Sequence, residues 1–383
     1  MIKNKGEKLP IVSILIGLLL CSNMLVMGVS YLIPIPNLFP IFVFAISALW
    51  VVLNFDNVKI NIYLLAFLMI MAMQVFCGFA IINNDTANAY FFSFLCVGLL
   101  PALVGYQLID IKTVSLTIVI CGIATCWYPI SIIILGSFSL ASEDQMGVSY
   151  SLLPLLFSSI ITVTSGSKRK YRLLAVVTLI LSALTIFMQA TRGAILSVAI
   201  FAIIYAFYCT YDKIKNNSKT KIRVVIITLI VIVTVIILIP FVTSSEWYEM
   251  VFSRKEDDVL NGRTELYEQA LKWQSPLSFF FGNGCGSFQS VYNYNELIYP
   301  HNIFLQLYFE QGIFVALFVL LICFLSIVIM IKKNVDKEHK IILLFLFCAT
   351  IIRLNFSYYF WIDPIFWIYI AQVLYSLKFL GKR

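Results

Sequence analysis

Residues 299–333 read YPHNIFLQLYFEQGIFVALFVLLICFLSIVIMIKK. From Asn302 to Ile331 this is one long apolar run, closed by Lys332 and Lys333. A helix needs about 20 apolar residues to cross the hydrocarbon core of a bilayer, so the segment predicts a membrane-spanning helix with a basic end. Outward from it the same pattern recurs along the chain. Hydrophobic residues make up 61% of 383 and charged residues 12%, against roughly 45–50% and about 25% in soluble domains. The apolar runs lack the short alternating segments of an outer-membrane barrel, so the fold class is an all-α polytopic membrane protein.

About twelve spans are expected by this criterion, over 11–32, 38–54, 60–82, 89–109, 113–136, 148–165, 173–189, 193–211, 224–242, 302–331, 341–357 and 362–380. The basic start, with Lys3, Lys5 and Lys8, leads into an apolar run too long for a cleaved signal, and reads as a retained first helix. Assigning alternate connections to the cytoplasm puts 21 of the 27 Lys and Arg there, which predicts both termini inside. The net charge of +8 then reports topology and contact with anionic headgroups, not nucleic-acid binding. Arg192, Arg254, Lys255, Arg263, Lys272 and Arg353 are left on the external side or in the outer half of the membrane.

The nine cysteines are scattered, many within apolar runs, and read as small core residues, not as a disulfide framework. With two histidines far apart and no Cys-x-x-Cys, no protein metal site is expected. The whole chain reads as a single transmembrane domain, 1–383, with one large external loop at 243–300 inserted between the ninth and tenth spans. Loops of this length are functional or disordered. Thr264 to Trp273 predicts a surface helix with Leu266, Tyr267, Ala270, Leu271 and Gln274 on one side, ended by Pro276. Gly282-Asn283-Gly284-Cys285-Gly286-Ser287-Phe288 follows. Its spacing is not that of a dinucleotide loop and no βαβ pattern surrounds it, so no nucleotide cofactor is expected. A turn allowing close backbone approach is the better reading. Glu256-Asp257-Asp258, flanked by Arg254 and Lys255, reads as a solvated loop, not a metal motif.

His301 stands where that external segment re-enters the membrane. Imidazole is the one side chain whose ordinary pKa lies near neutrality, so it can exchange a proton with a substrate there. The plain alternative is an interfacial helix cap. Arg192, in Gln189-Ala190-Thr191-Arg192-Gly193, has almost no loop to solvate it, and Arg263 begins the surface helix. Two arginines and a histidine on one outer face suit a lipid diphosphate, whose oxygens a guanidinium fork binds bidentately.

The order of these motifs is an Arg-Gly at a tight turn, a large external loop with Gly-Arg, a glycine-rich turn, His301-Asn302, and Gly312 at the next helix. In this the chain resembles the bacterial O-antigen polymerase and O-antigen ligase superfamily, over about residues 185–320 by motif and over the whole chain by topology. The resemblance implies a metal-independent, inverting, GT-C type glycosyltransferase without a cofactor. Its substrate would be an oligosaccharide on undecaprenyl diphosphate at the periplasmic face of the inner membrane. It further implies Arg192 and Arg263 as diphosphate binders and His301 as the residue that activates or positions the acceptor hydroxyl. The prenyl tail would lie between helices among membrane lipids, and a flippase and a chain-length regulator are the partners such a reaction implies. Polymerase and ligase differ in acceptor, a second lipid-linked repeat unit or the lipid A core. The ligase pattern expects a small or hydroxyl residue where this chain has Val315, which favours the polymerase, of O-antigen or capsular polysaccharide.

Asn302, Glu310, Arg353, Gly284 and Tyr299 are further candidates for substrate contact. Against this, Glu310 and Arg353 suit an interhelical ion pair, Arg353 and Asp363 suit one another, and Tyr292, Tyr294 and Tyr299 suit interfacial anchoring. His339, in Lys337-Glu338-His339-Lys340, reads as a solvated loop residue. A transporter of the same lipid-linked sugars is the alternative from another class. It would call for repeat halves with ionisable residues near mid-membrane, which the sequence lacks.

Overall fold

A computed structural model describes residues 8–54, 61–78, 84–135, 142–165, 167–189, 191–216, 263–272, 275–288 and 299–379. It is helical throughout these residues. The ninth expected span and most of the 243–300 loop, including Tyr292 and Tyr294, lie outside the described residues. Lys8–Leu20 (α1) and Ser22–Leu32 (α2) are followed by Leu38–Asn54 (α3), Ile62–Gly78 (α4) and Asn84–Ser93 (α5). A π-helical turn, Phe94–Leu99, carries α5 into Leu100–Gly105 (α6). Ile111–Ala124 (α7), Trp127–Leu135 (α8), Ser142–Thr164 (α9), Arg169–Met188 (α10) and Arg192–Asn216 (α11) complete the first part. After them come Arg263–Lys272 (α12), Pro276–Phe281 (α13), Ile303–Gln311 (α14), Ile313–Ile331 (α15) and Lys337–Leu346 (α16). The π-turn Phe347–Ile352, the short 3-10 turn Phe360–Ile362 and Pro364–Ser376 (α17) finish the chain.

Among the described residues, five helices are long and apolar enough to cross a membrane, and seven if each of two bent pairs counts as one span. The expected spans 11–32 and 113–136 are those pairs, bent by 59° at Cys21 and by 53° at Thr125–Cys126. The expected span 302–331 is likewise two helices, because Gly312 takes φ 83° and ends α14. Leu38–Asn54, Ile62–Cys77 and Pro364–Phe379 are shorter apolar helices.

The chain packs around α17, where Trp367, Tyr369, Phe366 and Ile370 have no exposed surface. A helix that is apolar on all sides belongs inside a bundle. Small residues let it in: a Cβ at Gly105 would lie 2.9 Å from Ile368 Cα. Gln372 completes the contact by donating its amide hydrogens to the carbonyls of Gly105 and Gln107, the latter at 2.7 Å. Around α9 the glue is hydroxyl pairs, Ser159 with Thr178 at 2.8 Å, Thr164 with Tyr205 at 2.5 Å, and Ser149 with Thr191 at 2.9 Å. The outer helices keep apolar faces open, as Phe314, Leu317, Leu321 and Phe324 do along α15, which is what a lipid-facing stripe requires.

At the far end of α15 from Gly312, Lys112 pairs with Glu338 at 2.6 Å. His339 is buried beside them, against the expectation of a solvated residue. Its Nε2 shares a hydrogen with Ser376 Oγ at 2.5 Å and its ring meets Phe379. The local Lys-Glu-His-Lys charge hid the inward face of α16. Burial first, and the nearby Lys378 charge second, hold this imidazole neutral down to about pH 4.

In the last turn, Arg353 donates to Asp363 at 2.7 Å and both are fully enclosed. Asp363 also accepts from Thr350 Oγ1 at 2.6 Å and caps α17 through Ile365 N–H at 3.1 Å. Asp363→Ala strips Arg353 of its counter-charge and is expected to destabilise the fold by about 3–5 kcal/mol. An Arg353→Met/Asp363→Leu double variant should cost far less. Thermal melts in detergent check this, and equal losses in both variants would count against the pair as the cause.

Candidate functional site

The glycine-rich turn is built onto the end of α14. Ser275 starts α13 with a capping box to Ser278, and Gly282, at φ 76°, ends it. Asn283 N–H and Nδ2–H then donate to the Phe309 carbonyl at 2.9 and 3.0 Å, and Gly284 N–H donates to the Glu310 carbonyl at 3.0 Å. These carbonyls belong to the last turn of a helix, where no intrahelical partner exists. A Cβ at Gly282 would strike the Glu310 carbonyl, and one at Gly312 the Phe280 carbonyl. Two left-handed glycines thus interlock two backbones. Gly284, left-handed as well at φ 89°, takes part in this joint through its N–H.

Glu310 lies directly beneath, with 1% of its surface exposed. It does not pair with Arg353. Trp361 Nε1–H donates to it at 3.0 Å, Tyr359 O–H at 3.4 Å and Gln306 Nε2–H at 3.4 Å. The expectation of an ion pair between Glu310 and Arg353 fails because Asp363 already holds the guanidinium and an indole and a phenol reach the carboxylate. Both candidates are thus enclosed and partnered in this structure.

Asn302 is the N-cap of α14, its side-chain oxygen accepting from Phe304 and Leu305 N–H at 3.0 and 3.1 Å. His301, just before it, adopts φ 51°. A non-glycine residue in that region is uncommon and carries strain. Its ring centroid is 4.3 Å from that of Tyr299, and its Nδ1 is buried without a hydrogen-bond partner. Burial, and then the charge of Arg263, lower its pKa to about 4. His301 is therefore a neutral imidazole at physiological pH, standing within the field of a guanidinium.

Arg263 opens α12, and α12 is docked on α14 through Leu266, Ala270, Phe288, Phe309 and Leu305. The surface helix is thus real and its start is fixed; Leu271, expected on the packed side, is exposed. Arg192 opens α11 and is exposed, while Gly193 beside it is buried. A Cβ at Gly193 would meet the Tyr150 hydroxyl and lie 2.8 Å from Phe356. The charges of both Arg353 and Arg263 reach that same hydroxyl. Arg263, His301 and Tyr299 therefore cluster, and Tyr150 links them to the Arg192-Gly193 turn. Among the described residues, no ion pair joins the Arg192 guanidinium to these side chains.

Residues 177–320 match the family model described as O-antigen ligase, Wzy_C. Over these residues the chain is similar to that O-antigen ligase family, and its apolar helices make it a multi-pass membrane protein. No curated protein and no solved structure matches the chain. The Wzy_C segment contains Arg192, Arg263, the glycine turn, His301, Asn302, Glu310 and Gly312. Tyr150, Arg353, Tyr358 and Asp363 lie outside it; the pairing of Arg353 with Asp363 was legible in the sequence, whereas Tyr150 and Tyr358 were not singled out. Tyr150 sits in an apolar helix with nothing to single it out. The run Tyr358-Tyr359-Phe360-Trp361 between Arg353 and Asp363 was a visible signal.

Tyr299 O accepts the Tyr358 N–H at 2.8 Å. Tyr299→Phe leaves that half-buried donor unpaired, at a cost of about 1–3 kcal/mol. A lowered melting temperature in Tyr299→Phe, with Tyr63→Phe at an exposed position unchanged, is the expected result; equal melts for Tyr299→Phe and the parent would argue against the bond.

Proposed function

We propose that the chain is a glycosyltransferase that polymerises undecaprenyl-diphosphate-linked oligosaccharide repeat units into O-antigen or capsular polysaccharide. The observation that carries this reading is His301, a neutral imidazole with an unpaired Nδ1, next to the guanidinium of Arg263. A neutral imidazole accepts a hydroxyl's hydrogen, whereas an imidazolium cannot. The acceptor hydroxyl attacks the anomeric carbon as the bond to the diphosphate oxygen breaks. Its proton passes to His301, and the negative charge that builds on the departing diphosphate is met by Arg192 and Arg263. Attack opposite the leaving group inverts the anomeric centre. The diphosphate supplies the driving force, so neither a nucleotide nor a metal enters the step.

In this reading the whole chain forms one transmembrane domain of twelve spans with both termini cytoplasmic, and the 243–300 insertion faces the periplasm or exterior. The Lys112–Glu338 ion pair supports it, because it joins two connections assigned to the same side. Asn302 orders the approach of the acceptor by capping the helix that carries His301. The ligase reading is the second one, favoured by the similarity of residues 177–320 to the O-antigen ligase family. Val315 favours the polymerase.

Purified protein given lipid-linked repeat units alone should yield a ladder of longer products. Strict dependence on added lipid A core would transfer the assignment to the ligase. His301→Ala, Arg192→Ala and Arg263→Ala are each expected to lower turnover about a hundredfold or more, the scale for losing one group that meets transition-state charge, with the proteins still folded. Normal chain lengths in all three would remove the catalytic reading.

The pH profile offers an independent check. With its pKa near 4, below the ordinary 6.5, His301 stays neutral as pH falls from 7.5 to 5.5. The acid limb of kcat/KM, which reports the free enzyme, is expected near pH 4. A limb centred at 6.5 would mean that neither burial nor Arg263 acts on the catalytic group.

A further inference from the structure

A second left-handed residue, further along the chain, is joined to His301 through Tyr299. Tyr358, in the turn between the Phe347–Ile352 π-turn and α17, takes φ 84°. An aromatic side chain does not adopt that conformation without support from its surroundings. Three contacts provide the support. The Arg353 guanidinium lies 4.0 Å over the Tyr358 ring, Asn23 Nδ2–H donates to the Tyr358 hydroxyl at 3.3 Å, and Arg353 is itself anchored by Asp363. The consequence is the direction of the backbone: Tyr358 N–H points at the Tyr299 hydroxyl, 2.8 Å away. Tyr299 in turn lies ring to ring with His301, centroids 4.3 Å apart, and with Tyr359, centroids 5.3 Å apart.

We infer that Tyr358 is a positioning residue for His301: its left-handed backbone delivers an N–H that fixes the Tyr299 ring, and that ring holds the imidazole in place. The inference rests on the proposed role of His301 only for its effect on turnover; the geometric part stands without it. It also gives Arg353 a function that its burial permits. A guanidinium enclosed in the protein, neutralised by Asp363 and stacked on Tyr358 clamps the turn that aims the donor. The catalytic histidine is then set by a segment beyond the matched family domain, and by α2 through Asn23.

The test separates the backbone from the ring. Asparagine tolerates positive φ, whereas a β-branched residue does not. In Tyr358→Val the turn must relax and Tyr299 loses its donor; in Tyr358→Asn the donor can remain. His301 accessibility is read in the full-length protein by the rate of diethyl pyrocarbonate modification, located by peptide mass so that His339 is scored apart. Tyr358→Val is expected to raise the His301 rate at least tenfold and to lower kcat at least tenfold with KM for the lipid-linked substrate within threefold. Tyr358→Asn should keep both within about threefold of the parent. If Tyr358→Val does not fold, Tyr299→Phe removes the acceptor oxygen of the same bond and is read by the modification rate in the same way. An unchanged His301 rate in whichever of these folds overturns the positioning role. A raised rate with unchanged glycan extension would uphold the positioning and instead overturn the proposed catalytic role of His301.

Discussion

Within an apolar environment a backbone that leaves its helix must find a partner for every N–H and C=O, since each orphan costs several kcal/mol. The break at Gly312 is the place where this constraint shapes the molecule. α14 ends there with the carbonyls of Phe309 and Glu310 open, and the glycine turn supplies Asn283 and Gly284 to close them. Only glycine permits the approach, because any Cβ at Gly282 or Gly312 would meet a carbonyl of the other strand of the joint. Everything external to the joint is placed by it. α12 docks on the same helix through Leu266, Ala270 and Phe309, which brings Arg263 to the His301 end.

Charge is distributed unevenly over this framework. Arg353 is fully enclosed and matched by Asp363 at 2.7 Å, so its charge is spent within the protein. Glu310 is enclosed and met by an indole, a phenol and an amide without a cation. Arg263 and Arg192 have no carboxylate partner among the described ion pairs. Cationic groups at an apolar boundary are stabilised by whatever anion binds there. A lipid diphosphate meets both halves of the requirement, with its charge at the boundary and its chain in the apolar phase.

Much of this was legible from residue type and order, and the rest was hidden for physical reasons. Apolar run length found where the helices are, from Leu38–Asn54 to Pro364–Ser376, because burial in lipid demands apolar side chains all round. It did not find the bends at Cys21, which no proline marks, and at Thr125–Cys126, where Pro129 lacks the N–H that would reach the Thr125 carbonyl, because hydropathy is blind to direction. Gly312 was visible as a motif residue but was absorbed into one long span for the same reason. The site split along a similar line. Arg263 and His301 stood out because a charge or an imidazole beside a membrane-length run is rare. Tyr150, Tyr358 and Tyr359 did not, because a tyrosine near an interface is ordinary. Glu310 was seen as a buried carboxylate in need of a partner, yet partner choice depends on which turn is nearer, and only three dimensions decide that.

The two left-handed tyrosine and histidine positions follow from these same constraints. His301 precedes a helix whose N-cap, Asn302, has its side chain committed to Phe304 and Leu305. The chain must therefore turn sharply at His301 to leave the cap, and φ 51° is that turn. Tyr358 follows the π-turn Phe347–Ile352 and its neighbour Arg353, and must turn again so that Asp363 can cap α17 while holding Arg353. Each is strained by the helix end it serves, and strain of about 1–3 kcal/mol persists only where surroundings over-determine it. Tyr299 joins the two, accepting from one and stacking on the other. Relaxing either turn would release the ring between them, so the two helix ends share a single rigid corner. The imidazole of His301 gains the precision of its position from that corner.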